Sequence, residues 1–288
     1  MNSGFLNIWK PAGLTSSQAV GRVRRILGIR QIGHAGTLDP DAVGVLPMAV
    51  GSATRLLPYV PGEPKIYEAW VEVGTSTHTG DAAGRVTARS QGWELPGGAV
   101  EEAARWLSGS VWQIPPQVSA LKIGGVRQYQ AVRENQTVWP APRRVRIEPL
   151  EAIEVVEGGW RFRAEVGSGT YIRALVRDWA EILGVAAHLK KLARIQVGRW
   201  TEAGAATLED LESGWERHLQ SWDTVLDGVP RYPLTAPEFD RVQNGDVRVL
   251  EKLPEDRLGI LALTVGGRLA AIVEGPPYRY RLVFKEGT

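Results

Sequence analysis

Between residues 31 and 51 the chain loses regular periodicity. Gly33, Gly36, Gly44 and Gly51 are interspersed with Pro40 and Pro47, and the apolar residues follow neither the helical nor the strand period. The segment reads as a loop of unusual length, and compact domains rarely keep such a loop without a use for it. Short, well-marked elements stand around it. Phe5 to Trp9 reads as a strand, and Lys10-Pro11-Ala12-Gly13 as a turn. Ser16 or Ser17 can cap a helix with Val20, Val23 and Leu27 on its apolar stripe and Gly28 at its end. Beyond the loop, Tyr67, Ala69, Val71 and Val73 alternate with more polar neighbours as a half-buried strand does.

Further along, Val100 to Leu107 reads as a short helix closed by Gly109. Residues 113–146 hold Pro115, Pro116, Gly124, Gly125, Pro140 and Pro142 among arginines, the pattern of a basic arm rather than of core. Residues 151–156 and 160–166 suggest two strands around Gly158-Gly159. Thr170 can cap a helix with Tyr171, Leu175, Trp179 and Ile182 on one stripe, and Thr207 with Asp210 has capping-box spacing. From Val229 the pattern changes to short apolar runs at 258–265, 269–273 and 278–284 between Gly-rich turns, as in a small β-barrel. The expected division is 1–228 and 229–288, and no internal repeat is present.

The 288 residues are 43% hydrophobic and 23% charged, an ordinary globular balance. The absence of cysteine removes disulfides, thiolate catalysis and cysteine-based zinc or iron–sulfur sites together. No stretch approaches the roughly 20 apolar residues of a membrane span, and no signal peptide is evident, so a soluble cytoplasmic protein is expected. Net charge is only +2, yet it is unevenly spread. Residues 22–30 carry +4, residues 121–146 and 161–199 carry +5 each, and residues 201–228 carry −6. Three cationic runs in one chain point to a polyanionic partner.

Several chemistries lack their motifs. There is no G-x-x-x-x-G-K-[ST], no G-x-G-x-x-G and no G-x-S-x-G. His34, His78, His188 and His218 show no metal-ligand spacing. A mechanism free of cofactor and metal is therefore expected. The segment Gly33-His34-Ala35-Gly36-Thr37-Leu38-Asp39-Pro40 stands out instead. Pro40 restricts Asp39 to extended backbone, which holds its carboxylate in place. Such a carboxylate can act as nucleophile or general base, although Asp-Pro pairs more commonly serve as plain turns.

That run, with its continuation Gly44, Leu46-Pro47 and Gly51 to Leu56, resembles the signature of the TruB family of bacterial tRNA pseudouridine synthases. Other pieces follow in the family's order: Lys10-Pro11-Ala12-Gly13-Leu14-Thr15-Ser16, Lys65-Ile66-Tyr67, Thr79-Gly80-Asp81, Ser119-Ala120-Leu121-Lys122, Gly169-Thr170-Tyr171-Ile172-Arg173 and Leu192-Ala193-Arg194. The resemblance covers most of residues 4–215. It departs at Val118, where an aromatic residue is usual, and at His78 and Ala83, where acids are common.

The resemblance implies an α+β pseudouridine synthase fold, with a mixed, mostly antiparallel extended sheet flanked by helices, and a small PUA-like barrel at the C-terminus. It implies conversion of uridine to pseudouridine at position 55 in the T loop of tRNA, without cofactor, metal or obligate protein partner. Asp39 becomes the carboxylate that attacks or deprotonates the ribose, and Arg173 its cationic partner. Tyr67 becomes the stacking face for an extruded uracil, and Tyr171 the second active-site phenol. Leu192 becomes the apolar wall of the uracil pocket and His34 the wedge in the T loop. Lys10 and Lys122 fall at family positions near the RNA. Two other readings compete: a non-catalytic RNA-binding or RNA-folding factor on the same scaffold, and a glycoside hydrolase. The hydrolase needs a second carboxylate that the sequence does not offer.

Overall fold

A computed structural model describes residues 3–91, 96–116 and 140–285, with the backbone of 122–123 and 126–127. The first part of the chain runs β1 (Gly4–Lys10), α1 (Ser16–Leu27), β2 (Ile32–His34), β3 (Val43–Val50), β4 (Lys65–Val73), β5 (Thr75–Thr77), β6 (Val86–Arg89) and α2 (Ala99–Arg105). The middle contributes β7 (Gly109–Gln113), β8 (Lys122–Ile123), β9 (Val126–Arg127), β10 (Arg143–Ile147), β11 (Glu151–Val156), β12 (Gly159–Val166), α3 (Ile172–Leu183), β13 (Ala187–Val197) and β14 (Trp200–Thr201). The last part holds α4 (Leu208–Glu212), β15 (Arg231–Pro233), α5 (Ala236–Gln243), β16 (Gly259–Val265), β17 (Arg268–Gly275) and β18 (Arg279–Val283).

A ten-stranded sheet organises the molecule in the order β1-β3-β13-β4-β12-β10-β7, with β2, β11 and β14 as side branches. It is mixed: β13 runs parallel to β3, and the other pairs are antiparallel. The expected architecture of a mixed, mostly antiparallel sheet with flanking helices is present. The supposed long loop is not. Residues 32–34 and 43–50 are strands, which leaves only 35–42 irregular. β3 lies between β1 and β13 and is buried almost throughout, so it shows no alternation. Gly44 and Pro47 further disguise it. Gly44 has φ +124°, and a Cβ there would stand 2.2 Å from the Arg194 carbonyl oxygen, so only glycine lets β3 approach β13 this closely.

Two cores flank different parts of this sheet. Tyr67, Ala69 and Val71 of β4 meet Phe162 and Trp160 of β12 and Leu175 and Trp179 of α3. The Trp179 ring lies 5.0 Å from Phe162 and 5.3 Å from Trp160. Leu38 and Ala42, on either side of Asp39, belong to this same core. α1 packs Ala19, Val20 and Val23 against Leu6 and Ile8 of β1. Its cap is Thr15, which forms a capping box with Gln18. Ser16, one of the two expected caps, is thereby left to turn inward.

α3 also starts one residue later than expected. Tyr171 is its N-cap position, and Ile182 is exposed rather than part of the buried stripe. The basic arm is shorter than 113–146. Gln113 ends β7, and in β10 Arg144 and Arg146 point outward while Val145 and Ile147 enter the core. Most of the remaining arm, Val118 included, lies outside the described residues. Thr207 and Asp210 do form a capping box, but α4 is only five residues long.

The C-terminal strands expected at 258–284 are β16, β17 and β18, which form a sheet of four with β15. Among the described residues this sheet is open, in the order β15-β16-β17-β18, rather than a closed barrel. Its Ala262 and Ile272 share a third core with Phe5, Val45 and Leu56 of the main unit.

Candidate active site

Residues 35–42 link β2 to β3, and four residues from separate parts of the chain hold them in place. The Ser16 hydroxyl at the start of α1 accepts the Leu38 N–H at 2.9 Å. The Gly13 N–H donates to the Pro40 carbonyl at 3.0 Å. Lys10 of β1 is 0% exposed, and its ammonium donates to the carbonyls of Pro11, Leu14 and Pro40 at 2.8, 2.8 and 3.0 Å. Burial lowers its pKa from 10.5 to about 8, against the opposing pull of Asp41 and Asp39. Lys10 therefore braces the loop from beneath; it does not face a surface open to RNA.

Arg194 of β13 supplies the fourth tether. It is 1% exposed, and its guanidinium donates to the carbonyls of Val45, Thr37 and Gly36 at 2.9, 3.1 and 3.2 Å. These tethers join residues separated by as many as 158 positions in the chain, so no local motif announces them.

The loop presents Asp39 to Arg173 on the first turn of α3. Arg173 Nε donates to Asp39 Oδ2 at 2.8 Å and Nη2 to Oδ1 at 3.0 Å, a two-pronged pair. Its Nη1 donates to the Thr79 carbonyl at 2.8 Å. The arginine is 5% exposed while the aspartate side chain is 37% exposed, so the pair offers its carboxylate outward and keeps its cation inside. Asp81 stands behind, with Oδ2 3.7 Å from Arg173 Nε. Thr79 Oγ1 donates to Asp81 Oδ1 at 2.6 Å. The turn carrying Asp81 is seated on β13 by the Leu189 N–H to Gly80 and the Ala82 N–H to Leu189, at 3.0 and 3.1 Å.

The residues that replace acids in this region find other uses. His78 Nδ1 accepts the Arg85 N–H at 2.8 Å, and the Ala83 N–H donates to Asp81 Oδ1 at 3.2 Å. Asp39, Asp41, Asp81, Leu189 and Leu192 line one narrow cleft of about 50 Å³. Leu192 is thus in the same cleft as the Asp39 carboxylate. Tyr67 stands in β4 directly opposite Arg194, 8% exposed, in the core that takes in Leu38 and Ala42.

Tyr171 is placed by a reciprocal amide clamp. Its N–H donates to Gln113 Oε1 at 2.8 Å, and Gln113 Nε2 donates to its carbonyl at 3.2 Å. Arg143 lies over the phenol ring, 4.8 Å from the centroid, and donates to the Gly169 carbonyl. His34 ends β2, and its pKa is pushed down by burial first and by Arg194 second. The Lys122 side chain lies outside the described residues. Sequence reading did not single out Arg194, Asp81, Ser16, Gln113 or Arg143 as site residues; each acts on a partner distant in the chain or in a turn.

A family model described as TruB family pseudouridylate synthase (N terminal domain) matches residues 24–172, and one described as tRNA pseudouridylate synthase B C-terminal domain matches residues 173–229. This chain belongs to the TruB family. Its similarity to tRNA pseudouridine synthase B of Thermobifida fusca is 39% identity over 282 residues, covering 95% of both chains. With the Symbiobacterium thermophilum protein of the same name it is 41% over 246 residues, covering 84% of this chain and 82% of the relative.

Among solved structures, this TruB-family chain is similar to one in a Cbf5–Nop10–Gar1 complex, with TM-score 0.67 and 23% identity, covering 94% of this chain and 78% of that one. A second, from an H/ACA RNP bound to a substrate RNA containing 2′-deoxyuridine, gives TM-score 0.69 at 22% identity with the same coverage. At those identities the likeness is one of fold. Among the described residues of the TruB-family chain, no helix is long and apolar enough to cross a membrane.

Proposed function

We propose that this pseudouridine synthase isomerises one uridine in the T loop of tRNA, at position 55, after the base has been turned out of its stack. The paired Asp39 and Arg173 carry the reading: a carboxylate held by a buried guanidinium, half open to solvent, on a cleft it shares with Leu192. The N1–C1′ bond of uridine breaks, the uracil turns, C5 bonds to C1′, and the proton on C5 is lost while the freed N1 takes one up, so the product is an isomer of the substrate. Asp39 serves either by attacking the ribose or by removing a ribose proton. In both routes the two-pronged hydrogen bonds from Arg173 hold the carboxylate oxygens in fixed directions.

In this reading Tyr67, which shares its core with Leu38 and Ala42 of the loop, supplies the flat face for the base, Leu192 the apolar side, and Tyr171 the phenol that handles the proton at C5. His34 wedges into the RNA loop. RNA of this kind is read by shape and by splayed bases, with cations along its phosphates, which gives the arginine-rich arm its part. We read residues 1–228 as the catalytic unit and 229–288 as a PUA-type RNA-binding module, here with an open sheet. A tRNA substrate assigns the enzyme to the cytoplasm.

The test is direct. Pure protein is incubated with an unmodified T-arm hairpin, with no metal or nucleotide added, and pseudouridine is mapped. One uridine converts; in Asp39→Asn conversion falls to background while hairpin binding survives. Conversion by that variant removes Asp39 from its role. Hairpin binding by the wild type without conversion makes the protein a non-catalytic RNA-binding factor.

A further inference from the structure

We propose that Arg194 is a positioning residue, a clasp that sets the height of the Asp39 loop above the floor that receives the base. Three observations place it there. Its single guanidinium reaches both sides of Asp39, Gly36 and Thr37 at the entry of the loop and Val45 in β3, just beyond its exit. A planar fork fixes the directions of its N–H groups, so the two sides are held at a set separation. Second, Arg194 lies opposite Tyr67 in the β13–β4 register, and Leu192 precedes it by two residues. Opposed residues of an antiparallel pair share a face, as do residues two apart on one strand. The clasp, the stacking tyrosine and the apolar wall therefore stand on the same side of the sheet.

Third, β13 is built to deliver these side chains. Its register with β4 shifts between Leu189 and Lys191 and again between Arg194 and Gln196, so irregularities bracket the Lys191–Arg194 segment. Such irregularities re-aim side chains next to active sites. On the other flank, Arg194 pairs with Gly44, the residue whose missing side chain permits close approach. All three acceptors, two in the loop and one in β3, are carbonyl oxygens, so the cation serves to fix backbone.

The proposal rests on the reaction assigned above, and the experiment separates the two. Conversion of the unmodified hairpin is measured under single turnover for the wild type, Arg194→Lys and Arg194→Ala, with hairpin affinity measured alongside. Lysine keeps the charge but places one nitrogen where three bonds diverge. In Arg194→Lys the rate falls by about 30-fold or more, the scale expected of an ångström of misplacement. Affinity stays within about threefold, since the RNA-facing surface is unchanged. Millimolar guanidinium ion restores part of the rate to Arg194→Ala, and ammonium does not.

A rate for Arg194→Lys within about threefold of wild type overturns the clasp, as does a loss of affinity that matches the loss of rate. Absence of guanidinium rescue in a folded Arg194→Ala overturns it too. Should Arg194→Ala not fold, Arg194→Lys decides alone. Failure of the wild type to convert the hairpin refutes the assigned reaction instead.

Discussion

Lys10 shows how a buried charge can brace a loop from within. Its ammonium has three N–H groups, and three carbonyls receive them. Burial pulls its pKa down to about 8, so the unfolded chain holds that proton more tightly than the folded one. Below pH 8 both states are charged and the difference is constant. Between about 8 and the ordinary 10.5 the folded state loses its proton first, and the Lys10 contribution to stability rises with pH. Urea unfolding of wild type and Lys10→Met across pH 7 to 10 checks this. The stability of wild type relative to Lys10→Met rises above pH 8; a difference that stays flat contradicts the assignment.

At the scale of elements, β3 and β13 form the parallel pair on which the site rests. Gly44→Ala places a methyl 2.2 Å from the Arg194 carbonyl oxygen at φ +124°. We expect a loss of about 3 kcal/mol or more, since the backbone strain alone is of order 1–3 kcal/mol and the clash adds to it. Equilibrium denaturation measures it, and a variant as stable as wild type shows that the strands can separate cheaply.

The same pair shows where sequence reading stops. β4 was legible because Tyr67, Ala69, Val71 and Val73 alternate, and β12 because a Gly-Gly turn precedes it. β3 is buried on both faces and has no alternation to read. In β13, Lys190, Lys191, Arg194 and Gln196 break the apolar pattern and the register shifts move it. Asp39, Arg173 and Leu192 were reachable through the family resemblance. The supporting bonds of Lys10, Ser16 and Arg194 were not, because sequence spacing carries no record of a carbonyl that accepts them.

At the scale of the molecule, the C-terminal sheet is joined to the main unit by apolar packing. Ala262 and Ile272 sit in one core with Phe5, Val45 and Leu56, and Arg55 donates to the Val283 carbonyl at 2.6 Å while lying over the Phe284 ring. Shared core of this kind couples the two units. Heating is expected to give one cooperative transition, and Ile272→Ala to destabilise that transition by about 2–5 kcal/mol, the range for truncating a buried isoleucine. Calorimetry tests this. Two separated transitions, with only one sensitive to Ile272, contradict it.

The span between Gly36 and Arg194 has a consequence for birth on the ribosome. Residues 36–45 emerge early, yet the strand and guanidinium that fasten them are translated some 150 residues later. Until β13 slides between β3 and β4, the sheet lacks its centre and Asp39 has no fixed place. A nascent chain is therefore silent toward RNA chemistry until just over two thirds of it has been synthesised, and activity arrives only with the inserted strand.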